Sequence, residues 1–248
     1  MKKDVVLTPC QSKNLIAKAF FQSKYFSDCV KNKGRVIINR GTTNSYLVEE
    51  FTKKKIDKKR FTSGVVMPNG EYWIDNEKLK EIMIEKGIAK EIDFCEILDD
   101  LNSRDIIVKG ANSINYAKST AGIFIMHEKA GTVGNIVKAV YGKRVKLIVP
   151  VGLEKEVSFD LDEISQMMGE DDCDEKTPRM FSVRCELFTE IEAVKVLTEN
   201  SVEAFHIGTG GIMGAQGAVR LLLDGDKNKV EEICDFIQKL PLTDEFTL

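Results

Sequence analysis

Apolar residues along this chain follow two rhythms. Arg35 to Asn39, Asp105 to Val108, Ala121 to Met126, Val145 to Val149 and Ala218 to Leu223 are short, continuous, largely aliphatic runs. A run without alternation is how a parallel strand covered on both faces reads. Elsewhere the apolar positions fall three or four apart. Leu15, Ile16, Ala19, Phe20, Phe26 and Val30 predict one helix from about Pro9 to Lys31, opened by Thr8-Pro9-Cys10-Gln11, which has the form of a capping box with proline at the first helical position. Further helices are expected from Thr42 to near Phe51, from Asn76 to Lys86 with Gly87 as its stop, and from Asp93 to Leu101. Another should carry Ile136, Val137 and Val140, and one more Leu161 to Met168. A second capping box, Thr189-Glu190-Ile191-Glu192, starts a helix to about Asn200. Asp226 starts the last, with Val230, Ile233, Cys234 and Ile237 facing inward. Val202 to Ile207 reads as a strand, and Pro68-Asn69-Gly70 as the turn of a hairpin carrying Trp73.

Strand, polar loop, helix and strand in repetition predict an α/β fold: an open, mostly parallel sheet with helices on both faces. A chain of 248 residues can bury a full core. One domain over 1–248 is expected, with 158–248 as a distinct second half or a small extra α+β subdomain.

The stretch around which the rest is arranged is Gly34 to Phe51. Its β-branched run enters the small-residue turn Asn39-Arg40-Gly41-Thr42-Thr43-Asn44, and that turn opens directly into a helix. Backbone N–H groups at a helix start lack intrahelical partners, and the dipole there favours an anion. Gly41, Thr42, Thr43 and Asn44 are therefore candidate ligands of a phosphate or carboxylate. Loops that should converge on the same sheet edge add Lys109, Gly110 and Asn112, then Gly131, Thr132 and Gly134, then Glu154 and Lys155. Gly210 and Gly211, in the glycine-rich stretch Gly208 to Gly217, mark either a backbone approached closely by a ligand or a tight turn between two strands. A dinucleotide fingerprint would need a helix after those glycines, and an apolar strand-like run follows instead. No Walker-type phosphate loop is present, and no cofactor is specified.

Charge and composition narrow the partners. A net charge of −3 and a pI near 5.7 give no general pull towards nucleic acid or anionic membrane. The apolar runs are too short to span a bilayer, and Met1 to Cys10 lacks the apolar core of a signal peptide, so a cytoplasmic protein is expected. Six scattered cysteines without a C-x-x-C pair, and two histidines remote from them, give no zinc pattern, and no metal is expected. Lys53 to Arg60 is basic but reads as a solvated segment after a helix end, and the acidic stretch Gly169 to Arg179 as a solvated loop. A small anionic metabolite is the expected partner, and a homo-oligomer is compatible with the pattern.

Asn39-Arg40-Gly41-Thr42-Thr43-Asn44, Lys109-Gly110-Ala111-Asn112-Ser113 and Lys129-Ala130-Gly131-Thr132-Val133-Gly134 together resemble the three ligand loops of one superfamily. Its members include ribose-5-phosphate isomerase, glucosamine-6-phosphate deaminase, the coenzyme A transferases and sugar-phosphate sensor domains of certain repressors. The resemblance runs from about Pro9 to Val157. It implies that the first loop holds a phosphate. In the isomerases the second loop reads D-G-A-D-E, whereas Lys109, Asn112 and Ser113 replace its acids here, removing the groups that would shuttle a proton. The transferases use a glutamate as a covalent nucleophile, for which Glu154 and Glu190 are the acids to consider. Two classes of function follow. One is an isomerase-, ligase- or transferase-type enzyme acting on a sugar phosphate, acyl-coenzyme A or nucleotide, with Lys109 and Glu154 as its reactive groups. The other is a non-catalytic sensor of such a ligand.

Overall fold

The computed structural model describes residues 1–63, 65–66, 70, 72–73, 77–128 and 130–243. The chain opens with β1 (Lys2–Leu7), and Thr8 then caps α1 (Pro9–Phe20). The expected helix to Lys31 is two helices. Ser23 accepts the Phe26 N–H and starts α2 (Lys24–Lys31) anew, because a serine in extended conformation caps better than it continues a helix. β2 (Val36–Ile38) leads into α3 (Thr42–Thr52). The short strands β3 (Val65–Val66) and β4 (Tyr72–Trp73) pair antiparallel. Pro68, Asn69, Asn76, Lys129 and the side chain of Trp73 lie outside the described residues.

Over the stretch expected to be helical from Asn76 to Lys86, the structure has β5 (Glu81–Glu85), in a hairpin with β6 (Ile88–Ile92). Lys86 and Gly87 both have positive φ, at 50° and 77°, the signature of the two-residue turn that joins twisted strands. Gly87 thus turns a hairpin and does not stop a helix. Next come α4 (Phe94–Ile97) with a 3₁₀ turn, β7 (Ile106–Val108), β8 (Ser113–Asn115) and β9 (Thr120–Ile125). α5 (Gly131–Val137) runs into a π turn ahead of β10 (Lys146–Pro150). The remainder is α6 (Leu161–Met167), β11 (Arg179–Arg184), β12 (Glu186–Phe188), α7 (Glu190–Leu197), β13 (Val202–Thr209), β14 (Val219–Gly225) and α8 (Lys227–Gln238).

The class is α/β, built on a six-stranded mixed sheet in the order β12-β10-β7-β2-β5-β6. Its first four strands are mutually parallel, while β5 and β6 add an antiparallel hairpin at one edge. Every residue of β2 and β7 is buried, so both faces of the sheet centre are covered. β9 is not part of this sheet: it lies between β8 and β11 in a separate antiparallel one, since an apolar run specifies burial but not which partner strand supplies it. A third sheet, β1-β14-β13, joins the start of the chain to its later part. Residues after 158 are shared among all three of these sheets, and buried side chains from Val5 to Leu240 form one continuous cluster.

The parallel strands appear across the sheet in chain order, so their carboxyl ends stand side by side. Ile38 aligns with Val108, and Val108 with Ile148. The segments that follow β2 and β7 therefore emerge together.

Candidate functional site

The turn after β2 is held from below. Asn39 N–H donates to the Val108 carbonyl at 2.9 Å, and Gly41 N–H to the Phe61 carbonyl at 2.9 Å. Asn44 is fully buried, and its Nδ2 donates to the Asn39 carbonyl at 2.8 Å and the Val108 carbonyl at 3.3 Å. Asn44 thus braces the turn. It was expected to touch ligand, but the side chain points into the fold. Gly41 is extended, with φ 168°, and α3 has no side-chain cap. Ser45 N–H reaches back to the Gly41 carbonyl at 3.0 Å, while the N–H groups of Thr42, Thr43 and Asn44 have no partner among the described residues.

In front of those amides is a cavity of about 450 Å³, lined by Arg40, Gly41, Thr42 and Thr43 from this turn. Lys109, Gly110, Ala111 and Asn112 enter it from the end of β7, and Gly131 and Thr132 from the start of α5. Lys155 closes another side. Ile123, Ile125, Met126 and Val133 give it an apolar wall. Most of the residues expected to bind a ligand are thus gathered round one space. Gly134 lies one turn into α5 and does not line it. Gly210 and Gly211 are exposed in the long loop that joins β13 to β14 and do not line it either.

The lining carries Arg40, Lys78, Lys109 and Lys155 and, among the described residues, no carboxylate. Three of these cations are positioned by specific contacts. Arg40 Nη2 pairs with Glu81 Oε1 at 2.8 Å, a carboxylate brought by β5. Lys155 Nζ donates to the Ala111 carbonyl at 2.8 Å. Lys109 is 7% exposed, and the hydrogen bond of its Nζ among the described residues is a long one, 3.5 Å to the Arg40 carbonyl. Burial, then the nearby charges of Arg40 and Lys155, bring the Lys109 ammonium down to about 8, with Glu81 opposing weakly. Burial likewise lowers Lys155, against the opposing pull of Glu154.

Glu154, the other expected reactive group, does not line the cavity. It faces Glu190, a fully buried side chain whose Oε2 accepts the Leu153 N–H at 2.9 Å. Burial and the Glu154 charge hold the Glu190 carboxyl well above the usual carboxylate range. In the basic segment after α3, Lys53, Lys54 and Lys55 are exposed, but Lys58 is not. Lys58 is buried, pairs with Glu49 at 3.1 Å and lies 4.5 Å from the Tyr46 ring centroid. Cys10 is buried, with its Sγ 3.1 Å from the Thr243 carbonyl.

Arg40, Thr62, Lys78, His127 and the apolar wall were not singled out from sequence. Arg40 carried the clearest signal, as a cation immediately before the small-residue turn. Among the described residues no group of three or more His, Cys, Asp or Glu could hold a metal ion, and no helix is long and apolar enough to cross a membrane. Set against known proteins, the chain matches no family model, no curated protein and no solved structure.

Proposed function

We propose that the cavity binds a small anionic metabolite, with its phosphate or carboxylate on the first amides of α3, and that the chain acts on that ligand as an enzyme. The observation that carries this reading is the coincidence of an uncapped helix start with charged lining residues that are, among those described, all cations. Arg40, Lys109 and Lys155 supply charge, while Ile123, Ile125 and Val133 suit the carbon frame of a sugar phosphate or acyl group. An isomerase-, ligase- or transferase-type reaction agrees with the resemblance of the three loops. A non-catalytic sensor is the second reading. It is favoured by the lack of a lining carboxylate among the described residues, which leaves proton movement there to lysine and His127.

Thermal shift with inorganic phosphate, sugar phosphates, acyl-coenzyme A esters and nucleotides tests the site. One of these should raise the melting temperature in a concentration-dependent way. Stabilisation by none of them overturns the reading. Turnover of the stabilising compound would separate enzyme from sensor.

A further inference from the structure

We propose that Lys109 is a nucleophile whose ε-amine forms an imine with the carbonyl carbon of a small anionic aldehyde or ketone seated in the cavity. This rests on the anion-binding reading above and adds the reacting bond. Among the described residues Lys58 and Lys109 are buried and Lys155 is half-buried, and the three are treated differently. Lys58 is spent on Glu49 and the Tyr46 ring. Lys155 is tied to the Ala111 carbonyl at 2.8 Å. Lys109 has three donors and one long contact of 3.5 Å, has no carboxylate partner among the described residues, and opens into the cavity.

Its main chain is fixed at the same time. Lys109 N–H donates to the Ile148 carbonyl at 3.1 Å, so the side chain departs from the rigid edge of the parallel sheet. Arg40 and Lys155 keep positive charge close by, and with a value near 8 about a tenth of the amine is neutral at pH 7. A lysine beside other cations in a dehydrated site is how imine-forming amines are activated. Ile123, Ile125 and Val133 give the same cavity an apolar wall for the carbon frame of the carbonyl compound.

The step balances without a further reagent. The nitrogen lone pair attacks the carbonyl carbon, and the carbonyl π pair moves to oxygen, which takes a proton to give a carbinolamine. The hydroxyl then leaves as water with the remaining amine proton, and a C=N bond stands where C=O stood. Addition of water reverses it.

Pyridoxal 5′-phosphate, an aldehyde bearing a phosphate, is a suitable probe on the full chain. Incubation at low probe concentration, reduction with borohydride and peptide mass spectrometry should place the adduct on Lys109. Inorganic phosphate in excess, or use of pyridoxal without its phosphate, should cut that labelling at least tenfold. Lys109→Arg should abolish the imine absorbance while retaining the charge. Adducts confined to surface lysines, with Lys109 unmodified, overturn the proposal even if the variant fails to fold. Should phosphate still raise the melting temperature in that case, the anion site stands and only the imine falls. Should phosphate give no shift and no protection, both fall.

Discussion

α3 and α7 both begin where a parallel strand of the large sheet ends, and they begin in opposite ways. At α7, Thr189 Oγ1 accepts the Ile191 N–H at 3.1 Å, and the Glu192 carboxylate reaches back to Thr189 N–H at 2.8 Å. Glu190 adds a buried carboxyl in the same first turn. At α3 no side chain caps the helix and, among the described residues, the charged groups lining the space before it are cations. The backbone dipole is the same kind of field in both places. What distinguishes them is whether the chain supplies its own acceptors or leaves the donors to an anion from outside. Capping chemistry, more than the presence of a helix start, marks the candidate site.

The sharpest way to break the contrast is to make α3 resemble α7. Gly41→Asp places an acceptor at the cap. A Cβ there would meet Asn44 Nδ2 at 3.6 Å, an ordinary contact, and the extended backbone accepts any residue. Affinity for inorganic phosphate, read by calorimetry, should fall about a hundredfold or more, which is ~3 kcal/mol. Stability in urea should hold or rise by a few tenths of a kcal/mol, roughly the gain of aspartate over glycine at a cap. Undiminished phosphate affinity would show that α3 is not where the anion rests.

Lys109 gives the next largest effect, and its sign follows from linkage. The folded value of about 8 lies below the free lysine value of 10.5. Between those two pH values the unfolded chain holds a proton that the folded chain has released, so stability rises with pH across the window. At pH 7 the buried charge costs roughly 3 kcal/mol. Lys109→Met should therefore be the more stable protein at pH 7 in denaturant titrations, and the rise between pH 8 and 10.5 should flatten. The same variant should bind phosphate more weakly, since the destabilising charge is the one that meets the ligand.

How far the sequence foreshadowed this is clearest element by element. The cores of β2, β7 and β10 stood out because strands buried on both faces must be apolar throughout. Both capping boxes stood out because they are local devices, complete within four residues. β5 was hidden: Glu81 and Glu85, flanked by Lys80 and Lys86, suit a solvated helix, and it is pairing with β2 and β6 that makes Glu81–Glu85 a strand. The burial of Glu81 makes sense once Arg40 is placed beside it, and sequence spacing of some forty residues conceals such a pair. The turn at Gly41 and the loop at Lys109 were legible because chain-order parallel strands place consecutive strand ends together. Glu154 was misplaced for the complementary reason: proximity in sequence to Lys155 does not fix which way a side chain in a 3₁₀ turn faces.

Glu190 lets the comparison be tested from the acidic side, with the pH slope reversed. Its folded value is raised, by burial first and Glu154 second. Once pH exceeds the ordinary carboxyl value of 4.5, the folded chain retains a proton that the unfolded chain has lost. Stability from this group is thus complete at low pH and is lost as pH climbs through the raised value. Glu190→Gln still offers an oxygen to Leu153 N–H but cannot ionise. It should exceed the natural protein in stability at pH 8 to 9 and match it near pH 4. Equal stability at both pH values would mean that Glu190 ionises freely, and the contrast between an acidic and a cationic helix start would lose one half of its basis.

Thr189→Ala has the smallest effect and isolates the cap itself. Thr189 is fully buried, and its hydroxyl both accepts from Ile191 N–H and donates to Glu192 Oε2 at 2.6 Å. Loss of the hydroxyl should lower stability by about 1 kcal/mol, seen as an earlier urea midpoint. Phosphate affinity should stay within about twofold, a change of under ~0.5 kcal/mol. The freed Ile191 amide does not make a second anion site, because Glu190 remains in the first turn and Glu192 still accepts from Thr189 N–H and from the Tyr116 hydroxyl at 2.6 Å. A second phosphate bound by this variant would show that an open amide alone suffices. In that event the cations around Lys109 would be incidental to what α3 does.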